Sequence, residues 1–382
     1  MTMKQTIYES MLLGSNVRAI AYMDVLPSVE WIQKRMQVIE NSYPVIKYKV
    51  ENGEITRKGE YEIHNAKDDG NSIEEFVSNC LTNMTPKSNF EIFLVQHGNS
   101  KSGAIMASCN HAFTDGRHML NFMADFLSEQ TEFPVIPHPN IPELIKDVVR
   151  SQQTLDFSKQ ISVPNNPSPK NIPPKYAAKC TSFDIQNVLK VCKSLGIKLQ
   201  AFFSVSDIYA IAKTLKAKDP FEIGNQVSAN VNSYLGIPEN SPILASSLIY
   251  TLSKIDRSTK AGALMKEIQT KIDNNMSKNV LNHFACLTDG KFNVLNPLSL
   301  ISNVGMRKTP YNIRVHGGMF EVPAVMSNLR RFTSHVVTTN NIGHITQTYL
   351  VPGCEDEFIN TLNSHLMDML NNPEDAIERS IL

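Results

Sequence analysis

The residues of this chain best suited to chemistry lie in segment 111–116, His-Ala-Phe-Thr-Asp-Gly. A neutral imidazole accepts a proton near pH 7 because its unperturbed pKa is about 6.5, so His111 is a candidate general base. Asp115 is suited to the first turn of a helix, and Gly116 allows a close backbone approach because it has no Cβ. Random placement of the same residue types would give about 0.02 occurrences of His-x-x-x-Asp-Gly, so chance explains the motif poorly.

The flanking residues predict a strand, a short turn and a helix around this motif. Gly103 to His111 is a run of small and apolar residues typical of a buried strand. Because strand side chains alternate between two faces, His111 shares its face with Ala107 and Cys109. After Asp115, apolar residues recur at helical spacing. We therefore expect His111 at the exit of a strand and Asp115 at the start of a helix.

Helix and strand patterns alternate through the rest of the chain. Ser28 and Ser72 each precede a helical pattern that they are suited to cap. The segment from Gln200 to Lys216 is apolar on most faces, so it is expected to be a buried helix. Further helices are predicted at 143–153, 253–275 and 355–370. Strands are predicted at 45–50, 91–95, 226–232, 298–303, 324–327, 335–339 and 342–350.

A chain of 382 residues is long for one core and is expected to form two domains. Prolines crowd residues 133–175, which is typical of a connector lying over a surface. We predict an N-terminal domain at 1–150, a proline-rich connector at 151–178 and a C-terminal domain at 179–382. Strands and helices recur in both halves, so the predicted class is α/β (α+β layered).

Composition excludes several classes of function. The 37 basic and 37 acidic residues balance, so no global field favours nucleic acid. The six cysteines have no zinc-type spacing, and no metal site is predicted. Residues 1–6 lead into a mixed segment rather than a secretory signal, and no apolar run reaches the length of a transmembrane helix. A cytoplasmic protein, with a monomer favoured, is the expectation.

With its His-x-x-x-Asp-Gly motif, the chain resembles the thioester-dependent acyltransferases. This superfamily includes chloramphenicol acetyltransferase, condensation domains of peptide synthetases, polyketide-associated acyltransferases and fungal alcohol acetyltransferases. The opening helix and strand around residues 30–50, the region 196–232 and the final strand and helix at 345–370 are similar in arrangement. The resemblance implies two chloramphenicol-acetyltransferase-like domains with the active site in a tunnel between them.

The resemblance also implies roles for particular residues. His111 matches the catalytic base. Asp115 matches an aspartate that forms a salt bridge holding the loop, for which Arg18 is a candidate partner, and Gly116 matches a glycine that leaves room at the tunnel. Ser302 and Asn303 begin a Ser-Asn-x-Gly strand end similar to that of dihydrolipoyl acyltransferases, where Ser or Asn helps to bind the oxyanion. A polar strand-end turn without that role is an equally open interpretation.

Two departures from the family's motifs argue against two branches of the superfamily, the condensation domains and the plant BAHD acyltransferases. Many condensation domains have a second histidine where this chain has Asn110, and the Asp-Phe-Gly-Trp-Gly motif of plant BAHD acyltransferases is missing because Trp31 is the only tryptophan. Nor does the chain contain the Gly-x-Ser-x-Gly elbow of a covalent serine mechanism.

The function implied is that of an acyltransferase or acetyltransferase. It would move an acyl group from acyl-CoA, a co-substrate and not a bound cofactor, to a hydroxyl or amine of a small-molecule acceptor. Direct transfer in a ternary complex is the simplest mechanism. An acyl group carried on an acyl carrier protein is the alternative donor. A non-catalytic homologue that binds a partner in the groove is the alternative from another class, and the intact motif disfavours it.

Overall fold

A computed structural model of the chain describes residues 3–84, 86–135, 139–162, 176–238, 241, 246–291, 297–320, 332–350 and 356–382. The strands are β1 (Met3–Lys4), β2 (Ser15–Met23), β3 (Lys49–Glu51), β4 (Glu54–Thr56), β5 (Glu62–Asp68), β6 (Phe90–His97), β7 (Gly103–Asn110), β8 (Tyr176–Asp184), β9 (Phe221–Asn230), β10 (Ser246–Ile255), β11 (Ser299–Arg307), β12 (Ile313–Phe320), β13 (Phe332–Thr339) and β14 (Ile342–Leu350). The helices are α1 (Ile7–Leu12), α2 (Val29–Ile39), α3 (Ile73–Asn83), α4 (Gly116–Leu127), α5 (Ile141–Leu144), α6 (Ile185–Leu195), α7 (Leu199–Thr214), α8 (Ala261–Lys278), α9 (Val280–Thr288), α10 (Asp356–Asn371) and α11 (Pro373–Ala376).

Two larger sheets organise these elements. The first has the strand order β12-β2-β7-β6-β5, and only its edge pair β5–β6 is parallel. The second has the order β10-β9-β11-β13-β14-β8. The buried apolar side chains form one large core in the C-terminal half and two cores on the opposite faces of the first sheet. The predicted α/β class is confirmed.

Strand β12 crosses between the two halves of the chain. It follows β11 in sequence, yet it pairs antiparallel with β2 and completes the first sheet. The predicted boundary at 151–178 separates the strands of the first sheet from those of the second, with one exception. Strand β12 follows the boundary in sequence but belongs to the first sheet. Within the predicted connector, residues 163–175 lie outside the described residues, and residues 176–178 already belong to β8, paired with β14.

The helix starts after Ser28 and Ser72 were predicted correctly because their signals are local. Ser28 and Ser72 accept hydrogen bonds from the backbone N–H groups of Trp31 and Glu75, at 3.2 and 3.1 Å, as N-cap residues do. Helix α7 matches the predicted buried helix and carries a run of buried residues from Ala201 to Ala212. The predicted helix at 355–370 corresponds to α10.

Three predicted elements were wrong. Residues 45–50 are mostly a tight turn begun by Pro44, which pre-sets the backbone for it, and only the end of the segment is a strand. The helix at 143–153 stops at Leu144, and the Arg150 guanidinium donates to the Ile145 carbonyl at 2.8 Å. Residues 253–255 end strand β10, and the helix begins only after a turn in which Asp256 accepts from the Ser258 N–H at 2.8 Å.

The predicted strands at 91–95, 226–232, 298–303, 335–339 and 342–350 correspond to β6, β9, β11, β13 and β14. The strand predicted at 324–327 lies outside the described residues. Within the described ranges, no single helix is long and apolar enough to cross a membrane; α6 and α7, bent by 106° at their junction, meet that test of length and composition only as a pair.

Candidate active site

The motif folds into the corner that its sequence predicts. Strand β7 ends at Asn110, whose side-chain oxygen accepts the Ala112 N–H at 3.0 Å and whose carbonyl accepts the Phe113 N–H at 3.0 Å. The His111 N–H donates to the Ser15 carbonyl at 2.7 Å, which ties the turn to the neighbouring strand β2. Backbone groups of two strands therefore fix the position of His111.

One hydrogen bond determines the tautomer of the His111 imidazole. Its Nδ1 lies 2.8 Å from the carbonyl oxygen of Thr114. A carbonyl oxygen can only accept, so Nδ1 carries the proton in this bond and Nε2 holds a lone pair when the ring is neutral. Burial lowers the pKa of His111, while the Thr114 carbonyl and the Asp115 carboxylate act in the opposite direction. The arrangement favours a neutral imidazole with Nε2 available to take a proton.

Asp115 caps helix α4 and links it to the other half of the chain. One carboxylate oxygen accepts the His118 N–H at 2.9 Å, and the other accepts the hydroxyl of Ser246 at 3.2 Å. Ser246 is the first residue of β10, an edge strand of the second sheet. Burial raises the pKa of Asp115, and the bonds from His118 and Ser246 oppose that rise.

The expected salt bridge between Asp115 and Arg18 is not formed. Arg18 lies opposite Ser108 in the β2–β7 pair, whereas Val17 lies opposite Cys109 on the face that leads to the motif. Since neighbouring side chains of a strand point to opposite faces, Arg18 is directed away from Asp115. Its guanidinium donates instead to the Leu81 carbonyl.

The contacts of Asp115 lead to a test on stability. Asparagine is as good an N-cap as aspartate, so Asp115→Asn should change the free energy of unfolding little. Asp115→Ala removes the acceptor for the His118 N–H and for Ser246, and should cost about 1–2 kcal/mol. Urea unfolding of both variants measures the difference. A loss of about 3–5 kcal/mol in Asp115→Asn would instead indicate a broken buried ion pair.

Gly116 packs closely against two valines of the neighbouring strands. A Cβ built on it would lie 3.1 Å from Val304 Cγ2 and 3.5 Å from Val315 Cγ1. A side chain there would be in tight contact with Val304, which would have to move by a few tenths of an ångström. The role of Gly116 beside a substrate tunnel stays a prediction.

Ser302 and Asn303 lie on β11, the strand that approaches α4. Both are half-buried, and the side-chain oxygen of Asn303 accepts the Gly305 N–H at 3.1 Å, where the ladder with β13 has a bulge. Gly305 has a φ of +103°, which favours glycine. The Arg117 guanidinium donates to the Met306 carbonyl at 2.9 Å and so fixes this strand end to the motif helix. An oxyanion-binding role for Ser302 and Asn303 stays a prediction.

Sequence reasoning missed the partners of the motif. Thr114 acts through its backbone carbonyl, which no side-chain pattern reveals. Ser246 and Val304 reach the motif from strands more than a hundred residues away, and only the fold brings them there. A basic residue directly after Asp-Gly, Arg117, was the one signal in the motif that could have indicated a contact with a strand end.

A cluster of aromatic and charged side chains lies along helix α4, which follows the motif. His118 is buried, and its Nδ1 lies 2.7 Å from the Thr114 hydroxyl. Tyr43 donates to Asp125 at 2.5 Å, and Arg307 of β11 forms an ion pair with the same carboxylate at 2.6 Å. Helix α4 is thus held by both halves of the chain along its length.

Comparison with known proteins gives a consistent result for the fold. No family model matches the sequence, and no curated protein is significantly similar to it. Among solved structures, the first condensation domain of the calcium-dependent antibiotic synthetase is similar with a TM-score of 0.68 at 7% identity, covering 100% of this chain and 99% of that one. Polyketide synthase associated protein 5 from Mycobacterium tuberculosis gives a TM-score of 0.64 at 12% identity over 96% of this chain and 98% of its own.

A third similar structure is the trichothecene 15-O-acetyltransferase from Fusarium sporotrichioides, with a TM-score of 0.61 at 9% identity over 97% of this chain and 94% of its own. All three likenesses extend over nearly the whole of both chains. Identities this low establish the fold alone. The chain therefore has the two-lobed fold that these condensation-domain and acetyltransferase structures share.

Proposed function

We propose that the protein is an acyltransferase that moves an acyl group from acyl-CoA to a hydroxyl or amine of a small acceptor, with His111 as the general base. The observation that carries the proposal is the 2.8 Å bond from His111 Nδ1 to the Thr114 carbonyl, which leaves the lone pair on Nε2. The fold shared with an acetyltransferase and with condensation domains supports the same reaction class.

The proposed reaction is direct transfer in a ternary complex. Nε2 of His111 takes the proton of the acceptor hydroxyl or amine while that atom attacks the thioester carbonyl carbon. The tetrahedral intermediate then collapses, the carbon–sulfur bond breaks, and the imidazolium returns its proton to the leaving thiolate. Base catalysis of this kind supplies about 10²–10⁴-fold.

We place both substrates in a tunnel between the two halves of the chain. The contact of Asp115 with Ser246 and the packing of Gly116 against Val304 support this, because they show that both halves meet at the motif. Ser302 and Asn303 lie on β11, the strand that carries Val304, and they are the proposed donors to the oxyanion. Each preorganised donor is worth roughly 3 kcal/mol in such sites.

A second candidate donor is an acyl group on the phosphopantetheine of a carrier protein. Its support is the high similarity in fold to the condensation domain of the calcium-dependent antibiotic synthetase, over 100% of this chain. The chemistry at His111 is the same for either thioester. The two candidates differ only in the carrier of the acyl group, which is coenzyme A in one and a carrier protein in the other.

A panel of donors tests the proposal. The protein is incubated with an acceptor library and either acyl-CoA species or the same acyl groups on a carrier protein, and products are measured by mass spectrometry together with the thiol released. Acylated acceptor with release of stoichiometric coenzyme A is expected, and His111→Asn should form it about 10²–10⁴-fold more slowly. Product from the carrier protein alone would favour the second donor. No binding of acyl-CoA by calorimetry and no product from either donor would contradict enzymatic acyl transfer.

A further inference from the structure

Three potential metal ligands meet on the face of the first sheet that lies away from the His111 motif. Glu62 and His64 lie two residues apart on edge strand β5, so both point to the same face. Glu91 of β6 lies directly opposite Glu62 in the parallel pairing. One oxygen from each carboxylate and one nitrogen of His64 all lie within 4.8 Å of one another. The strand pairing, and not sequence spacing, brings them together.

Glu91 is the unusual member of this cluster. Its side chain is 0% exposed, and one of its oxygens accepts backbone N–H groups from Lys87 and Ser88, at 2.6 and 2.5 Å. Its other oxygen, Oε2, is buried without a hydrogen bond, and so is Nε2 of His64. A buried carboxylate oxygen without a partner is costly, because it has lost water and gained nothing in exchange.

The separations between the ligand atoms are longer than hydrogen bonds and are those of metal coordination or of ion pairs. Nε2 of His64 lies 3.5 Å from an oxygen of Glu62 and 3.5 Å from Oε2 of Glu91. Hydrogen bonds from nitrogen to oxygen are about 2.7–3.2 Å long. In a tetrahedral zinc site, with metal–ligand bonds of about 2.0–2.2 Å, neighbouring ligand atoms lie about 3.4 Å apart. Both measured separations match the second geometry.

We propose that Glu62, His64 and Glu91 form a binding site for a divalent cation of the zinc type. One imidazole with two carboxylates suits zinc, whereas magnesium and calcium prefer oxygen ligands alone. Stacking of the His64 ring on Phe93, with centroids 4.9 Å apart, holds the ring in position. Glu62 is 53% exposed, so water can complete the coordination from the solvent side.

The bound metal would join edge strand β5 to β6. Strand β5 has one neighbouring strand in its sheet, and its pairing with β6 is parallel. A metal held by ligands from both strands adds a cross-link at the start of this pair. The competing interpretation is a protonated His64 that forms ion pairs with both carboxylates and binds no metal.

Metal titration of the intact protein, prepared without a histidine tag, tests the site. The protein is freed of metal with a chelator, loaded with Zn²⁺, dialysed and measured for metal content, with a parallel measurement of Tm. One zinc per chain and a rise of several degrees in Tm are expected for the wild type. Co²⁺ should give the strong visible absorption of tetrahedral coordination.

Two variants test the proposed ligands His64 and Glu91, and a third variant is the control. His64→Ala and Glu91→Gln should lose at least tenfold in zinc affinity and lose the zinc-dependent rise in Tm. Gln keeps an oxygen that can accept from Lys87 and Ser88, so Glu91→Gln should retain its fold, which circular dichroism checks. His365→Ala, at a distant and partly exposed histidine on α10, should bind zinc as the wild type does.

Two results would overturn the proposal. The first is a wild-type protein that takes up no stoichiometric zinc and shows no change in Tm, which would leave the ion-paired imidazolium as the explanation of the cluster. The second is zinc binding that persists unchanged in both His64→Ala and Glu91→Gln, which would place the metal elsewhere.

Discussion

Replacing His111 with alanine is expected to lower kcat by about 10²–10⁴-fold while leaving KM for the donor nearly unchanged, because a general base acts mainly in the transition state. Steady-state kinetics with the donor and acceptor identified by the panel measure this. His365→Ala is the matched control, since that histidine lies on α10 away from the motif. His118 is unsuitable as a control because it is buried and hydrogen-bonded to Thr114.

The variant His111→Asn distinguishes the role of His111 as a base from its role in holding the turn. The asparagine amide can donate to the Thr114 carbonyl in place of Nδ1–H, but it cannot accept a proton. We expect it to be as inactive as His111→Ala and more stable. Recovery of near wild-type turnover in His111→Asn would mean that His111 only positions the turn.

The pH profile of the wild type gives a second readout. The base must be neutral, and burial lowers the pKa of His111 below the ordinary 6.5. The acid limb of the profile should therefore be centred below pH 6.5, with activity falling as His111 becomes protonated. An acid limb centred above that value would contradict His111 as the titrating base in the environment described.

The largest stability effect is expected at Asp207, a buried carboxylate of α7. One oxygen accepts the hydroxyl of Ser334 at 2.8 Å, and the other accepts the hydroxyl of Ser299. Ser299 in turn accepts from the Asn225 amide at 2.9 Å. This network joins α7 to β9, β11 and β13. Burial raises the pKa of Asp207 from 3.8 to about 6, and the two serine bonds oppose the rise.

The sign of the effect follows from the raised pKa. The stabilisation belongs to the neutral carboxyl, so it is fully present below 3.8 and is lost as pH rises through about 6. The whole titration corresponds to about 3 kcal/mol, of which roughly 2 kcal/mol falls between about pH 4 and pH 7.5. Asp207→Asn does not titrate. Relative to the wild type, it should therefore gain roughly 2 kcal/mol over the same interval.

Urea unfolding of wild type and Asp207→Asn at both pH values measures this difference. Asp147→Asn, at an exposed position, should follow the wild type at each pH. Parallel pH dependence of Asp207→Asn and wild type would mean that the carboxyl does not titrate in this interval. The comparison of variants removes the contributions of the other titrating groups.

The sequence was most informative where one local signal decides a structure. Ser28, Ser72 and Asp115 were each identified as helix caps because a side-chain oxygen bonds an N–H only two or three residues away. The corner that presents His111 was predicted for the same reason, since the strand pattern, the turn and the cap are contiguous. The apolar surface of α7 also predicted its burial.

The errors came from segments in which local patterns compete. Residues 45–50 have the composition of a strand, but Pro44 starts a turn that buries Val45 and Ile46. Strand β12 was missed altogether. It is an edge strand of the first sheet, and its polar residues Arg314 and His316 are buried against the second half, where they contact Ser182 and Thr348. No pattern along the chain indicates which sheet a strand will join.

By itself, the sequence determined the candidate base, the cap at Asp115 and the class of fold, because these depend on neighbouring residues and on periodicity. Only the tertiary structure decided that Asp115 bonds Ser246 and not Arg18, that Val304 and Val315 occupy the space beside Gly116, and that Glu91 meets His64. Each of these contacts joins residues from separate strands. The order of the strands, and the sheet face to which each side chain points, are set by how the apolar surfaces of the whole chain are buried together. That information is not contained in any single segment.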